Sequence, residues 1–231
     1  MQPPAPPDHA ASDYDARMSP RHVIWDWNGT LLDDAWLCVE VMNELLDQHA
    51  LPAVDARRYE TLFRFPVVEY YRQLGFDFER TPFEAVGTAF IEGYQARQHE
   101  CELQPHALAA FDALTKRGVT MSVLSASQQS RLEAQARHHD VTERFVRLLG
   151  LDHHYADGKL ELGRRWMSEL GHLPDEVLLV GDTDHDLHVA QALGIQCVLV
   201  PSGHQSRERL VQTGATLVDS LDVLALRLAA D

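Results

Sequence analysis

Apolar residues fall along this chain in two rhythms. His22-Val23-Ile24-Trp25 is a short apolar run that stops at Asp26 and then Asn28-Gly29, the pattern of a buried strand closed by a turn. From Ala35 to about Gln104 the spacing lengthens to three and four residues, which predicts helices. The clearest span Ala35–Ala50 and Pro82–Glu100, and Pro52, Pro66, Gly75 and Pro82 break the run. After Pro105 helix and strand patterns alternate. A helix is predicted over 107–117 and a strand over 119–124, ending at Ser125-Ala126-Ser127 with Ser127 as the cap of the next helix, 128–139. A helix over about 162–170 precedes a strand over 176–180 that ends at Gly181-Asp182. A helix over 187–193, strands over 195–200 and 215–218, and a terminal helix complete the pattern.

Strands that alternate with helices of this length predict an α/β fold, a Rossmann-like parallel sheet covered on both faces. The strand before Asp26 belongs to that sheet, so the helical block interrupts it. The expected organisation is a disordered tail over residues 1–20, a core of residues 21–34 and 105–231, and an inserted helical cap over 35–104.

Composition narrows the function. A formal net charge of −15 argues against nucleic acid and anionic membrane as partners, since both require a basic face. It leaves phosphorylated small molecules open, because a few local cations and a metal ion hold a phosphate within an acidic protein. Cys38, Cys101 and Cys197 are widely spaced and suggest reduced thiols in the cytoplasm. The Pro- and Ala-rich opening segment lacks the apolar core of a signal peptide.

Ligands of open parallel sheets bind beyond the carboxyl ends of the strands. The polar residues expected there are Asp26 and Asn28, Ser125, and Asp182, Asp184 and Asp186. Carboxylates meeting at one edge repel unless a cation lies between them, and hard oxygen ligands suit magnesium. The chain has 18 arginines but only two lysines, Lys116 and Lys159. Lys116 reads as a solvated helix end. Lys159 follows Asp157-Gly158 in a predicted loop, from which its ammonium can reach the same edge.

The segment Asp26-Trp27-Asn28-Gly29-Thr30 resembles the first motif of the haloacid-dehalogenase-like superfamily, Asp-x-Asp-Gly-Thr. Val123-Leu124-Ser125, Lys159 and Gly181-Asp182-Thr183-Asp184-His185-Asp186 resemble the second, third and fourth motifs, in the expected order. The helical insertion resembles the cap of the phosphoglycolate-phosphatase-like branch. The resemblance implies a phosphoric monoester hydrolase acting on a small phosphorylated metabolite. Asp26 would attack phosphorus and form an aspartyl-phosphate. Magnesium would be held by Asp26, the Asn28 backbone carbonyl and Asp182, with Asp186 orienting ligands or waters around it or binding it directly. Ser125, Ala126 and Lys159 would hold the phosphoryl group.

Asn28 departs from the pattern, which has a second Asp there as general acid and base. A carboxamide cannot carry a proton in and out. Slow turnover, restriction to good leaving groups such as acyl or aryl phosphates, or a substitute proton donor such as a histidine are the expected consequences. A phosphate-binding or regulatory protein with an impaired site is the alternative. The His138-His139-Asp140 and His185-Asp186 pairs suggest a different metal hydrolase only superficially, since such sites draw ligands from several helices. A dehalogenase would leave Lys159 and the metal site unexplained. A phosphonate hydrolase of this superfamily needs a cap lysine, and residues 34–104 contain none.

Overall fold

The computed structural model of the chain describes residues 19–152 and 158–229, so most of the expected tail, and Asp157, lie outside the described residues. β1 (His22–Trp25) leads into a two-residue ladder of β2 (Leu32–Asp33) antiparallel to β3 (Glu102–Leu103). Between these short strands lie α1 (Ala35–Gln48), α2 (Ala56–Leu62), α3 (Val67–Leu74) and α4 (Phe83–Arg97). The breaks fall where backbone chemistry puts them: Pro66 caps α3, and Gly75 ends it in the left-handed region.

The rest alternates: α5 (Ala107–Lys116), β4 (Thr120–Gln128), α6 (Gln129–His138), β5 (Arg147–Leu151), α7 (Lys159–Leu170), β6 (Val177–Gly181), α8 (Asp184–Leu193), β7 (Gln196–Leu199), α9 (Arg207–Gln212), β8 (Thr216–Leu217) and α10 (Leu221–Ala229). The six-stranded sheet has the order β5-β4-β1-β6-β7-β8, with every neighbouring pair parallel. Successive side chains of a strand face opposite ways. Val23 and Trp25 therefore enter one core with Val123 and Val180, while Ile24 enters the other with Leu124 and Leu179. Two buried faces explain why these strands read as continuous apolar runs. Among the described residues, no helix is long and apolar enough to cross a membrane.

Three details differ from the sequence-based expectation. β5 has no counterpart there; Arg147-Leu148-Leu149-Gly150-Leu151 is short, carries a glycine and pairs on one side only, with β4. Ser125, Ala126 and Ser127 lie within β4, which shifts register between Leu124 and Gln128. α7 begins at Lys159, earlier than the apolar periodicity indicates, because Gly158 caps it with a φ of 96°.

Candidate active site

The register of the three central strands assembles the site. Trp25 pairs with Val123 on one side and Val180 on the other, so the chain just past each strand end arrives at the same edge. The Asp26 N–H donates to the Val180 carbonyl (2.8 Å), fixing Asp26 beside Gly181-Asp182. β1 is also where the strand order reverses, with β4 and β5 to one side and β6 to β8 to the other, the usual site of a ligand crevice.

Asp26, Asp182 and Asp186 converge there, with one carboxylate oxygen from each within 4.8 Å of the others. All are at least nine-tenths buried. Lys159 Nζ bridges Asp26 Oδ1 at 2.5 Å and Asp186 Oδ1 at 2.6 Å. Its position on the first turn of α7, rather than in a loop, gives the ammonium a fixed approach. Thr30 Oγ1 lies between Asp182 Oδ1 at 3.1 Å and Asp26 Oδ2 at 3.3 Å. Asp186 Oδ2 accepts from the Thr183 N–H and hydroxyl in a capping box, so Thr183 caps α8 and Asp182 stays free of that task. Asp184 lies in the first turn of α8, bonded to Gln205 and Arg209.

Electrostatics divides these carboxylates. Burial pushes Asp26 up to about 6 against the pull of Lys159, with Asp186 adding to the rise. Burial likewise pushes Asp182 up to about 7, opposed by His204 and reinforced by Asp26 and Asp186. Burial raises Asp186 too, but the Lys159 charge and hydrogen bond outweigh it and hold the carboxyl below its usual range. Lys159 is held above the ordinary lysine value, since Asp186 and Asp26 outweigh its own burial. The cluster carries more negative charge than Lys159 neutralises, and its donors are hard oxygens; a divalent cation of the magnesium type fits it.

Asn28 is locked rather than free. Its Nδ2 donates to Asp34 Oδ2 (2.6 Å) and to the Tyr94 hydroxyl (3.1 Å), and its Oδ1 accepts from Ser127 Oγ (2.7 Å). Ser127 therefore serves Asn28 instead of capping α6, whose cap is Gln128; Ser125 Oγ accepts from the Ser127 N–H (3.0 Å). Asp34, 1% exposed, also accepts from the Tyr94 hydroxyl (2.6 Å) and the Gly29 N–H (2.9 Å). His204 Nε2 stands 3.4 Å from Asp34 Oδ1, while its Nδ1 meets the Tyr59 hydroxyl at 2.8 Å and its backbone N–H donates to Asp182 Oδ2 at 2.6 Å. Burial lowers His204, but Asp34, Asp182 and Asp26 overcome it and push the imidazole up to about 9. Gly29 is required in this crowd. Its φ is 75°, and a Cβ there would lie 2.3 Å from Asp182 Oδ2 and 2.6 Å from the His204 ring.

The site opens into a cavity of about 160 Å³ that extends beneath the helical insertion. Asp26, Asn28, Ser125, Ala126, Lys159, Asp182 and Asp186 all border it, so the sequence-derived candidates share one space. His138 and His139 close α6 and do not border it, whereas His185 does. Arg64 is half-buried, donates to the Leu62 carbonyl and lies outside the cavity. Asp34, Tyr59, Tyr94, Arg131 and His204 border it without having been identified from sequence. The strand-end rule carries a signal for one of them, because the strand predicted over 195–200 is followed by Ser202-Gly203-His204.

Comparison with known proteins agrees with this geometry. Residues 23–200 match the model of the haloacid dehalogenase-like hydrolase family. The chain belongs to the haloacid dehalogenase-like hydrolases. It is 26% identical over 202 residues to the tyrosine-protein kinase PtkA of Mycobacterium tuberculosis, covering 87% of this chain and 68% of that one. The solved structure of PtkA matches with a TM-score of 0.77 at 25% identity, over 92% of this chain and all of the other. Phosphoglycolate phosphatase of Synechococcus elongatus is 23% identical over 197 residues, 82% of this chain and 87% of its own length. A haloacid dehalogenase-like hydrolase from Streptococcus pneumoniae superposes with a TM-score of 0.78 at 18% identity, covering 90% of this chain and 98% of that one.

Proposed function

We propose that this hydrolase cleaves a small phosphoric monoester in two steps, with Asp26 as the nucleophile. The observation that carries the reading is the bridge of Lys159 Nζ between Asp26 and Asp186, beside Asp182 at the switch point of the sheet. A buried carboxylate fixed next to a cation, with its second oxygen 3.3 Å from the Thr30 hydroxyl, is suited to in-line attack on phosphorus. Lys159 would offset charge on the transferred group, and the Ser125 hydroxyl and the Ala126 backbone would hold its oxygens. Asp26, Asp182, Asp186 and the Asn28 carbonyl would hold magnesium, which supplies charge neutralisation for the approach of one anion to another.

The helical insertion serves as a cap. It is tied to the core where the Tyr59 hydroxyl meets His204 and where Gln205 Nε2 donates to the Phe63 carbonyl (3.2 Å). Arg209 donates to the same carbonyl. Further bonds join Tyr94 to Asn28, Asp34 and Gln135, so a lid that opens for exchange would break a polar seam around the site. Asn28 favours a second reading, a phosphate-binding protein with slow turnover, because its amide cannot exchange protons with a leaving group. Phosphate release from a panel of monoesters, with and without magnesium, separates the two. The enzyme reading expects magnesium-dependent release that Asp26→Asn abolishes. Release unchanged by Asp26→Asn overturns it.

A further inference from the structure

The cavity has a wall that a small, wholly polar phosphoester leaves unused. Beyond Asn28 it is built from Phe63, Phe65, Tyr71, Phe83, Phe90 and Ile91. The rings brace one another edge to face, with Phe63 on Phe65 at 5.5 Å and Tyr71 on Phe83 at 5.6 Å between centroids. The cavity of about 160 Å³ is continuous from the carboxylate site to this aromatic wall, so one ligand can reach both. A flat aromatic ring packs well against such a wall, edge to face or offset.

Arg131 adds a second requirement. It lies on the first turn of α6, borders the same cavity and is only 7% exposed. Its Nε and Nη2 meet no acceptor among the described residues. The guanidinium stands 6.0 Å from the centroid of the Tyr94 ring, on the residue whose hydroxyl meets Asn28. An arginine keeps its proton when buried, so an unpaired guanidinium is costly and calls for an anion. Turned toward the cavity that it borders, its planar fork matches a carboxylate with two parallel hydrogen bonds.

The third element is Asn28 itself. With both amide hydrogens engaged by Asp34 and Tyr94, it offers the leaving oxygen no proton. A phenol oxygen, with a pKa of about 10 as in tyrosine, departs as the anion far more readily than an alkoxide, whose basicity is near that of hydroxide (about 15.7 for water).

We infer that the substrate class is an aryl phosphate monoester bearing a second anionic group, a carboxylate, with its ring in the aromatic chamber and the carboxylate on Arg131. The inference rests on the phosphatase reading for its chemistry. Asp26 forms a bond to phosphorus while the P–O(aryl) bond breaks, and the phenolate leaves with the electron pair to be protonated by solvent. Water then attacks phosphorus, the bond to Asp26 breaks, and the carboxylate and inorganic phosphate are released, with the water proton passing to phosphate or solvent.

Calorimetric titration of the wild-type protein in magnesium with three phosphonates, whose C–P bond resists hydrolysis, tests this without turnover. 4-Carboxybenzylphosphonate is expected to bind at least about tenfold more tightly than benzylphosphonate. Benzylphosphonate in turn is expected to bind more tightly than phosphonoacetate. Arg131→Met removes the first preference and keeps the second. Phosphonoacetate binding as tightly as the aryl ligands overturns the inference, as does an equal loss of both aryl ligands in Arg131→Met, which moves Arg131 to the phosphoryl group. The wild-type order is informative even if the variant does not fold. A parallel assay of phosphate release from 4-carboxyphenyl phosphate distinguishes the two levels. The expected binding order without release from any ester sinks the phosphatase reading while the ligand class stands.

Discussion

The Asn28 side-chain amide donates to Asp34 Oδ2 at 2.6 Å, which places a buried carboxylate against the position where a proton carrier is expected. Asp34 is kept ionised there. Burial raises it, but the His204 charge and the donors His204, Tyr94 and Asn28 outweigh burial and hold it below the usual carboxylate range.

This contact makes Asn28→Asp alone a poor exchange. It would press two carboxylates together at hydrogen-bond distance, which forces them to share a proton. The double variant Asn28→Asp with Asp34→Asn keeps one amide facing one carboxylate and puts the acid in the reactive position. General acid–base assistance contributes roughly 100- to 10,000-fold. Phosphate release from alkyl esters should therefore rise at least about 100-fold in the double variant, and release from aryl esters far less. Steady-state assays on both ester types check this. Equal gains for both would mean that the leaving group is not what Asn28 limits.

Lys159 is the cation shared by two buried carboxylates. Lys159→Met should cost about 3–5 kcal/mol, as for a broken buried ion pair. The loss should be larger at about pH 8 than at about pH 5, where Asp26 and Asp186 without their partner take up protons. Urea unfolding in chelator at both pH values measures it. A loss that does not change with pH contradicts the charge-balance account.

Tyr94 joins the insertion to the core through one hydroxyl. It donates to Asp34 and accepts from Asn28 and from Gln135 Nε2 (3.2 Å), and Gln135 in turn accepts from Trp27 Nε1 (3.0 Å). Tyr94→Phe leaves those buried donors and Asp34 short of a partner, an expected loss of about 1–3 kcal/mol. Thermal unfolding reads the loss, and hydrogen exchange should show faster opening in α4 than in the sheet. An unchanged melting temperature would show that the network is not under load.

His22 gives the fold its own acid sensitivity. It is fully buried between the Thr120 and Ser122 hydroxyls, at 2.7 and 2.8 Å. Burial, and then His172, push it down to about 4 from 6.5. The unfolded chain binds the proton first as pH falls, so stability declines between about pH 6.5 and about pH 4, by about 3 kcal/mol in all. Asp26 and Asp182 work in the opposite direction, because raised carboxyls favour the folded state on acidification. The difference between wild type and His22→Gln isolates the histidine. It should shrink as pH falls through that window, and a constant difference would contradict the assignment.

The parallel sheet and the candidates at Asp26, Ser125 and Asp182 were legible because apolar runs stop there at polar residues, and Lys159 because the chain has only two lysines. Asp34 and Tyr94 were not. Asp34 reads as an ordinary polar residue ahead of α1, and Tyr94 as one more apolar position in α4; only the tertiary fold brings them to Asn28. Arg131 reads as a surface charge on a polar helix, and its burial depends on the insertion folding over it. β5 was missed because five residues containing a glycine carry too little pattern to register.

The most direct test of the account is where phosphate resides during turnover. Enzyme mixed with radiolabelled phosphoester and magnesium, quenched in acid and digested, should carry the label on the peptide containing Asp26, and Asp26→Asn should carry none. Label on a different peptide, or turnover with no labelled peptide at a time resolution shorter than one catalytic cycle, would contradict it.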